Sequence, residues 1–335
     1  MAHHRTHIPT LEEIYRPIAS DLLAIDTEIA ARASVAFSLL DDPSYSDNTT
    51  AGKHIRPALV LLCADMCGVP DRTRLIRMAA SCELVHVAAL IHDDVIDEAA
   101  TRRGFESVNA RWDNRAAVLT GDRVVAEAIL MLHEYGNAEI VRAILLAICN
   151  MVDGEMKDVT ARGLHQRTED EYYEIIDNKT ASLMSTACSL PAIYVGTDTA
   201  VIENLERFGA GFGMAFQIID DLLDLDGDER SLGKAPFRDI ANGKITLPLI
   251  HLYSAIPAGS DDAAKLIALV EGDPKTEPSS NWLRSALETY GSRDYCTEKA
   301  GAYIDEAKAC LTTFEDSPAK QSLLGLCDFV LKRDL

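Results

Sequence analysis

Apolar positions along this chain recur every three to four residues, and no stretch alternates in the manner of a strand. Thr10–Leu40 reads as one or two amphipathic helices, with Thr10 placed to cap the first turn ahead of Glu12 and Glu13. Asp41–Gly52 reads as a polar loop. The same periodicity predicts helices near 55–67, 71–98, 106–112, 114–135, 138–161, 169–189, 199–225, 245–254, 261–271, 281–290, 293–313 and 317–332. Pro57 suits a first helical turn, where a missing N–H is harmless. Gly68-Val69-Pro70, Gly136-Asn137, Gly196-Thr197 and Gly243 mark breaks. The expectation is an all-α fold in one domain spanning 1–335, with 1–9 a disordered leader. Ile256–Ser280 is the most loop-like stretch within it.

Composition narrows the function classes. The 335 residues are 47% apolar, enough for a substantial core, and carry a net charge of −21. Such a charge argues against nucleic acid or an anionic membrane as partner. It permits an anionic substrate, because metals and a few local cations invert the field. Eight cysteines at 63, 67, 82, 149, 188, 296, 310 and 327 form no CxxC pair and read as buried small hydrophobes in a reducing, cytoplasmic setting. The first residues lack the apolar run of a signal peptide, and Ala143–Cys149 is far too short to span a bilayer. No stable membrane anchor is therefore expected. His3, His4 and His7 read as part of the leader. A glycine-rich phosphate fingerprint is missing, which removes the doubly wound nucleotide folds.

The chemistry is announced by two acidic triplets of one form, Asp93-Asp94-x-x-Asp97 and Asp220-Asp221-x-x-Asp224, each inside an apolar helical stretch. Residues four apart share a helix face, so Asp93 pairs with Asp97 and Asp220 with Asp224. Six carboxylates aimed into one cavity would repel strongly. At 4 Å, two unit charges repel by roughly 4 kcal/mol for an effective dielectric of 20. Divalent cations relieve this, and oxygen-only donors favour magnesium, which bridges to substrate phosphates. Basic residues follow both triplets, Arg102-Arg103-Gly104 after the first and Gly233-Lys234 after the second. Cations close behind carboxylates suit a site that holds phosphate through metal and guanidinium or ammonium together. His86 stands seven residues before Asp93, two turns away on the same face. His92 has no such alignment and reads as structural, while Tyr172 and Tyr173 read as packing.

In order along the chain stand Gly52-Lys53-His54-Ile55-Arg56-Pro57, Glu83-Leu84-Val85-His86, the first triplet with Arg102-Arg103-Gly104, Lys179-Thr180, Phe216-Gln217-Ile218-Ile219-Asp220-Asp221, and Gly243-Lys244-Ile245-Thr246-Leu247-Pro248. With these motifs the chain resembles the trans-isoprenyl diphosphate synthases, or polyprenyl synthetases, from about Gly52 onward. The resemblance implies an antiparallel helical bundle around a central cavity, a homodimer, and head-to-tail condensation of isopentenyl diphosphate with an allylic diphosphate. It implies that Asp93, Asp94, Asp97, Asp220, Asp221 and Asp224 hold magnesium, three ions with substrate bound, on the allylic diphosphate. Lys179 and Lys234 would add fixed positive charge there, Arg102 would be a further ligand, and Thr180 and Gln217 would supply polar contacts. Lys53, Arg56, His86 and Arg103 match the separate pocket for the second substrate, with Lys244 a supplementary phosphate-facing group.

Two departures from the family pattern stand out. His54 replaces a common arginine, and Gly233-Lys234-Ala235-Pro236-Phe237-Arg238-Asp239 lacks the usual glycine near Phe237. Product length is a packing question. Ala89 lies one turn, about 5.4 Å, below Asp93, with Ala88 beside it. Family members with short products often carry aromatic side chains there, so the expectation is a product longer than twenty carbons, with Met131 or Leu132 as a more distant floor. Three alternatives compete. A class I terpene cyclase would carry a mixed Asn/Ser/Glu second motif, and a silent subunit of a heteromeric synthase would lose aspartates. A di-iron carboxylate bundle needs two Glu-x-x-His pairs, and only Glu83-x-x-His86 is present.

Overall fold

The computed structural model describes residues 9–49, 52–160, 163–164, 167–226, 238–270 and 280–332. In chain order the helices are α1 (Leu11–Tyr15), α2 (Ala19–Phe37), α3 (Ile55–Met66) and α4 (Arg72–Ile96). A hairpin of β1 (Thr101–Arg102) and β2 (Phe105–Glu106) follows, then α5 (Val108–Arg111), α6 (Asn114–His133), α7 (Ala138–Thr160), α8 (Glu169–Ile176), α9 (Ser182–Val195) and α10 (Thr199–Asp226). The remainder is α11 (Arg238–Ala241), α12 (Leu247–Ala255), α13 (Asp261–Val270), α14 (Ser280–Thr289), α15 (Ser292–Cys310) and α16 (Pro318–Lys332). Local chemistry sets the boundaries. Thr10 and Glu13 form a capping box, as do Thr168 and Glu171, while Asp71 and Asp113 cap α4 and α6. The expected breaks fall at Gly68, Gly136, Gly196 and Gly243, all in the left-handed region.

The fold divides into two compact units. The first comprises 1–149, 183–209 and 310–326, and the second 150–182, 210–309 and 327–335. In the first, α4 is the central helix, packed by α2, α3 and above all α6. Its core includes Ile18, Ile25, Ile29, Phe37, Leu59, Leu61, Leu62, Leu75, Met78 and Leu84, all fully buried. Each such side chain contributes roughly 1.5–3 kcal/mol on leaving water. By length and composition α4 could cross a membrane, but two thirds of its apolar window, 67%, is buried inside the protein, which marks a core helix. In the second unit α12 packs against both α8 and α14, and Phe212, Ile218, Ile219, Leu247, Leu266, Leu283 and Ile304 are buried.

Four local differences from the sequence-based expectation have physical causes. The polar loop over Asp41–Gly52 contains a 3₁₀ segment, Pro43–Thr49. The hairpin at Thr101–Glu106 has only two residues per strand, too short to show alternation, and its turn residues Arg103 and Gly104 both have positive φ, the geometry of tight hairpin turns. The helix expected over 169–189 is interrupted by a π turn at Asp177–Ala181 and then runs on to Val195, with Pro191 inside it. Cys149 is exposed, unlike the buried thiol expected there. His3, His4, His7, Lys234 and most of 233–239 lie outside the described residues.

Candidate active site

The first triplet sits at the end of α4, with Asp97 as its C-cap. Asp93 and Asp97 are half-buried, but Asp94 is only 4% exposed. One helical step is 100°, so Asp94 turns away from the face that Asp93 and Asp97 share. Arg102 closes over it, with Nε donating to Asp94 Oδ1 at 2.8 Å and the second guanidinium nitrogen donating to the same oxygen. The Asp94 carbonyl accepts from Asn109 Nδ2 at 3.1 Å and from the Ala99 N–H at 2.9 Å. Asp94 and Arg102, both expected at the diphosphate, are therefore partners of each other. Their pair fastens the hairpin to α4.

Around His86 lies a cationic cluster. Burial, then the charges of Arg56, Arg103 and Arg102, hold its imidazole well below the usual range, so it is neutral at neutral pH. Arg103 occupies the left-handed region at φ 51°, and its guanidinium packs over Gly52, where a Cβ would stand 3.1 Å from it. Lys53 is exposed beside this cluster, and its carbonyl accepts from the Tyr15 hydroxyl at 2.9 Å. His54 opens α3 with φ 50° and points Nε2 at Asp26 Oδ1, 3.2 Å away, so it braces α2 against α3. Glu83, 5% exposed, lies on α4 among these groups and acts on Arg103. The N-terminus of α3 adds a positive dipole end near Lys53 and Arg56. Ala88 is fully buried and Ala89 half-buried, while Met131 and Leu132 are fully buried on α6. His92 packs against Gly121 and reaches the Val118 carbonyl at 3.1 Å, a structural role as expected.

The second triplet belongs to the other unit. Asp220 is exposed, Asp224 half-buried, and Asp221 only 4% exposed. The middle aspartate again turns inward. Tyr172 Oη donates to Asp221 Oδ2 at 2.6 Å, Gln217 Nε2 donates to Oδ1 at 2.7 Å, and Thr180 Oγ1 donates to Gln217 Oε1 at 2.8 Å. These groups line a cavity of about 110 Å³ together with Asp158, Arg167, Ile175, Lys179, Asp239 and Lys244. The π turn presents Lys179, whose Nζ meets Glu155 and donates to Asp158 Oδ2 at 3.1 Å. Arg167 donates to the other Asp158 oxygen at 2.7 Å. Gly154 makes this turn possible, since a Cβ there would come within 2.8 Å of Lys179 Cγ. Lys244 is anchored through its N–H to the Asp239 carbonyl at 2.7 Å.

Charge is concentrated in this cavity. Burial, followed by Asp239, pushes Asp221 well above the usual carboxylate range. Burial, then Asp224, pushes Asp239 up to about 6, against the pull of Lys244. Its proton-bound form is favoured by the fold, so that contribution to stability is complete below the ordinary aspartate value near 4 and is lost as pH rises through about 6. Crowded carboxylates that resist ionisation are what a divalent cation relieves, and the donors offered are all hard oxygens. Among the described residues no group of three His, Cys, Asp or Glu is placed to hold an ion alone.

The sequence profile of the polyprenyl synthetase family matches residues 38–284. The chain is 33% identical over 96% of its length to an all-trans-nonaprenyl-diphosphate synthase (geranyl-diphosphate specific) of Rhodobacter capsulatus, and covers 98% of that protein. It belongs to the polyprenyl synthetase family. An octaprenyl diphosphate synthase of Escherichia coli is 31% identical over 97% of the chain and 99% of its own length. Among solved structures, a polyprenyl synthase from Caulobacter crescentus complexed with calcium and isoprenyl diphosphate superposes with a TM-score of 0.87 at 28% identity, over 98% of this chain and 99% of that one.

Within this polyprenyl synthetase, sequence reasoning missed Asp158, Arg167, Tyr172 and Asp239. Tyr172 was expected only to pack, yet its hydroxyl binds the second triplet. Asp158 and Arg167 stand nine residues apart on different stretches of chain and meet only in the fold. Asp239 carried the one available signal, an acidic residue just before Gly243-Lys244.

Proposed function

We propose that the chain condenses isopentenyl diphosphate head-to-tail with an allylic diphosphate, releasing diphosphate and making a trans-polyprenyl diphosphate longer than twenty carbons. The observation that carries this is the neutral His86 among Arg56, Arg102 and Arg103, on the same helix as the first triplet. A terpene cyclase handles one diphosphate and has no use for a second cationic pocket. Names of relatives support the long product, since they specify nonaprenyl and octaprenyl diphosphates.

In this reading Asp93, Asp97, Asp220 and Asp224 would hold magnesium, with three ions expected once substrate is bound, and Asp94 and Asp221 anchor the helices that present them. Bound magnesium would draw charge from the diphosphate leaving group and so ease cleavage of the allylic C–O bond. Lys179, with Lys244 lining the same cavity, would face the departing diphosphate with positive charge; Lys234, expected to do the same, lies outside the described residues. Lys53, Arg56, His86 and Arg103 orient the second diphosphate so that the isopentenyl double bond meets the ionised carbon. A neutral His86 can donate one hydrogen bond without adding charge. Apolar α4 positions, including Val87, Ala88 and Ile91, keep water from the carbocation. The freed diphosphate takes the final proton.

A homodimer in the cytoplasm is part of the reading. In the first unit, Val118, Leu119 and Leu130 on α6 and Leu145 and Leu146 on α7 are large apolar side chains left exposed, as on a surface that pairs. Product chromatography after incubation with each allylic primer tests the function. Ala89→Phe is expected to shift the distribution to shorter products by closing the space beside buried Ala88, and an unchanged distribution would refute that account. A pH effect follows from Asp239. As pH falls through about 6 this carboxyl takes up a proton and the cavity loses a negative charge. The magnesium concentration for half-maximal activity should therefore rise, by up to about tenfold between pH 7 and pH 5. Asp239→Asn should flatten that dependence; an equal rise in the variant would assign it to another group.

A further inference from the structure

The chain turns into α3 between Gly52 and Arg56, and this turn carries two groups assigned to the second substrate, Lys53 and Arg56. His54 is the N-cap of α3, yet it lacks both habits of that position. A cap residue is ordinarily extended, with a short side chain bonded to the first N–H groups of the helix. His54 instead has φ 50°, a conformation that strains a residue with a Cβ, and its side chain makes no cap hydrogen bond. The imidazole reaches across to α2, where Nε2 stands 3.2 Å from Asp26 Oδ1. The contact is electrostatic, since its geometry is not that of a hydrogen bond. Nδ1 is buried with no hydrogen-bond partner among the described residues. Burial pushes the Asp26 carboxyl up, and the His54 imidazole pulls it back. From α1, Tyr15 Oη holds the neighbouring Lys53 carbonyl at 2.9 Å. Gly52 lies against the Arg103 guanidinium, 3.1 Å from where a Cβ would stand. Residues 52–56 thus form a shelf, tied to α1 and α2, beside the cationic cluster around His86.

We infer that His54 is a positioning residue for the second substrate: its contact with Asp26 holds the left-handed turn that aims Lys53 and Arg56 at the diphosphate of isopentenyl diphosphate. This rests on the condensation proposed above. The strained turn persists because ties on both sides over-determine it. A ring with two side-chain torsions also loses less freedom on being fixed than the arginine common at this position. His54 itself touches no substrate. Its loss lets Lys53 and Arg56 spread over more orientations and leaves the first triplet and the allylic diphosphate as they were. Affinity for the second substrate falls, and turnover at saturation does not.

His54→Asn, His54→Arg, Asp26→Asn and the double variant Asp26→Asn/His54→Asn, all in the full chain, test it by steady-state kinetics with each diphosphate varied in turn. Asparagine tolerates the left-handed backbone and so keeps the turn, but it is too short to bring a polar atom to where Nε2 stands. His54→Asn should raise KM for isopentenyl diphosphate about tenfold, with kcat and KM for the allylic diphosphate changed by less than about twofold. His54→Arg again puts a donor opposite Asp26 and should keep that KM within about threefold of wild type. The double variant should be no worse than His54→Asn alone, since both changes act through one contact. An unchanged KM for isopentenyl diphosphate in His54→Asn, or multiplicative losses in the double variant, would overturn the inference. So would a His54→Arg variant as impaired as His54→Asn, or a fall in kcat with both KM values rising together. If the wild-type chain neither condenses isopentenyl diphosphate nor binds it by titration calorimetry, the reading of its function fails instead. The positioning claim is then decided by the backbone amide signals of ¹⁵N-labelled protein, where Asp26→Asn must move those of Lys53 and Arg56, and unmoved signals refute it.

Discussion

Asp220→Asn is expected to lower kcat about a thousandfold while leaving the fold intact. The amide keeps the shape of the side chain and removes its charge. If the outer aspartates hold the cations that draw charge from the leaving group, several kcal/mol of transition-state stabilisation depend on them. A loss of about 4 kcal/mol corresponds to about three powers of ten. Stability should change by less than about 0.5 kcal/mol, because Asp220 is exposed. The change also removes a charge that raises the carboxyls of Asp221 and Asp239, so the apparent value near 6 for Asp239 should fall. Circular dichroism and a thermal melt separate folding from chemistry. A variant within tenfold of wild-type turnover would remove Asp220 from the metal set.

The opposite profile is expected for Asp94→Ala, with a large loss of stability. Asp94 is nearly solvent-free, and its removal leaves the Arg102 guanidinium without its carboxylate. Breaking a buried pair from one side costs about 3–5 kcal/mol. Arg102 keeps 23% of its side-chain exposure, so screening reduces this to about 2–4 kcal/mol. The hairpin β1–β2 hangs on this contact and carries Arg103, so KM for isopentenyl diphosphate should rise as well. Urea unfolding gives the first quantity and steady-state kinetics the second. Changing both partners together, Asp94→Leu with Arg102→Met, should recover part of the stability, since no unpaired charge remains. A single variant as stable as wild type would show that the hairpin is held by other contacts.

These two variants fall on neighbouring types of position in one repeated motif, and the difference between them shows how far the sequence could be read. Helical spacing placed Asp93 beside Asp97 and Asp220 beside Asp224, and those outer residues are the ones left accessible. The same spacing puts the middle residue 100° away, but it cannot say what covers that side. Arg102 and Tyr172 do so, from a two-residue hairpin and a different helix. The π turn at Asp177–Ala181 has no composition of its own, since it depends on the room left by Gly154 and on α10 packing closely at Gly213, where a Cβ would meet the backbone of Ala181 at 2.6 Å. Helix existence and breaks were legible because caps and left-handed glycines are local. The hydrogen-bond chain behind Thr180 was not, because its members are brought together by tertiary contact alone.

Magnesium dependence is the most direct test of the account. Purified full-length protein is incubated with labelled isopentenyl diphosphate and an allylic diphosphate, with magnesium and then with excess chelator, and the products are separated by chromatography. The account predicts elongated prenyl diphosphate and released diphosphate with magnesium, and neither with chelator. Elongation at an undiminished rate in the presence of chelator would contradict it.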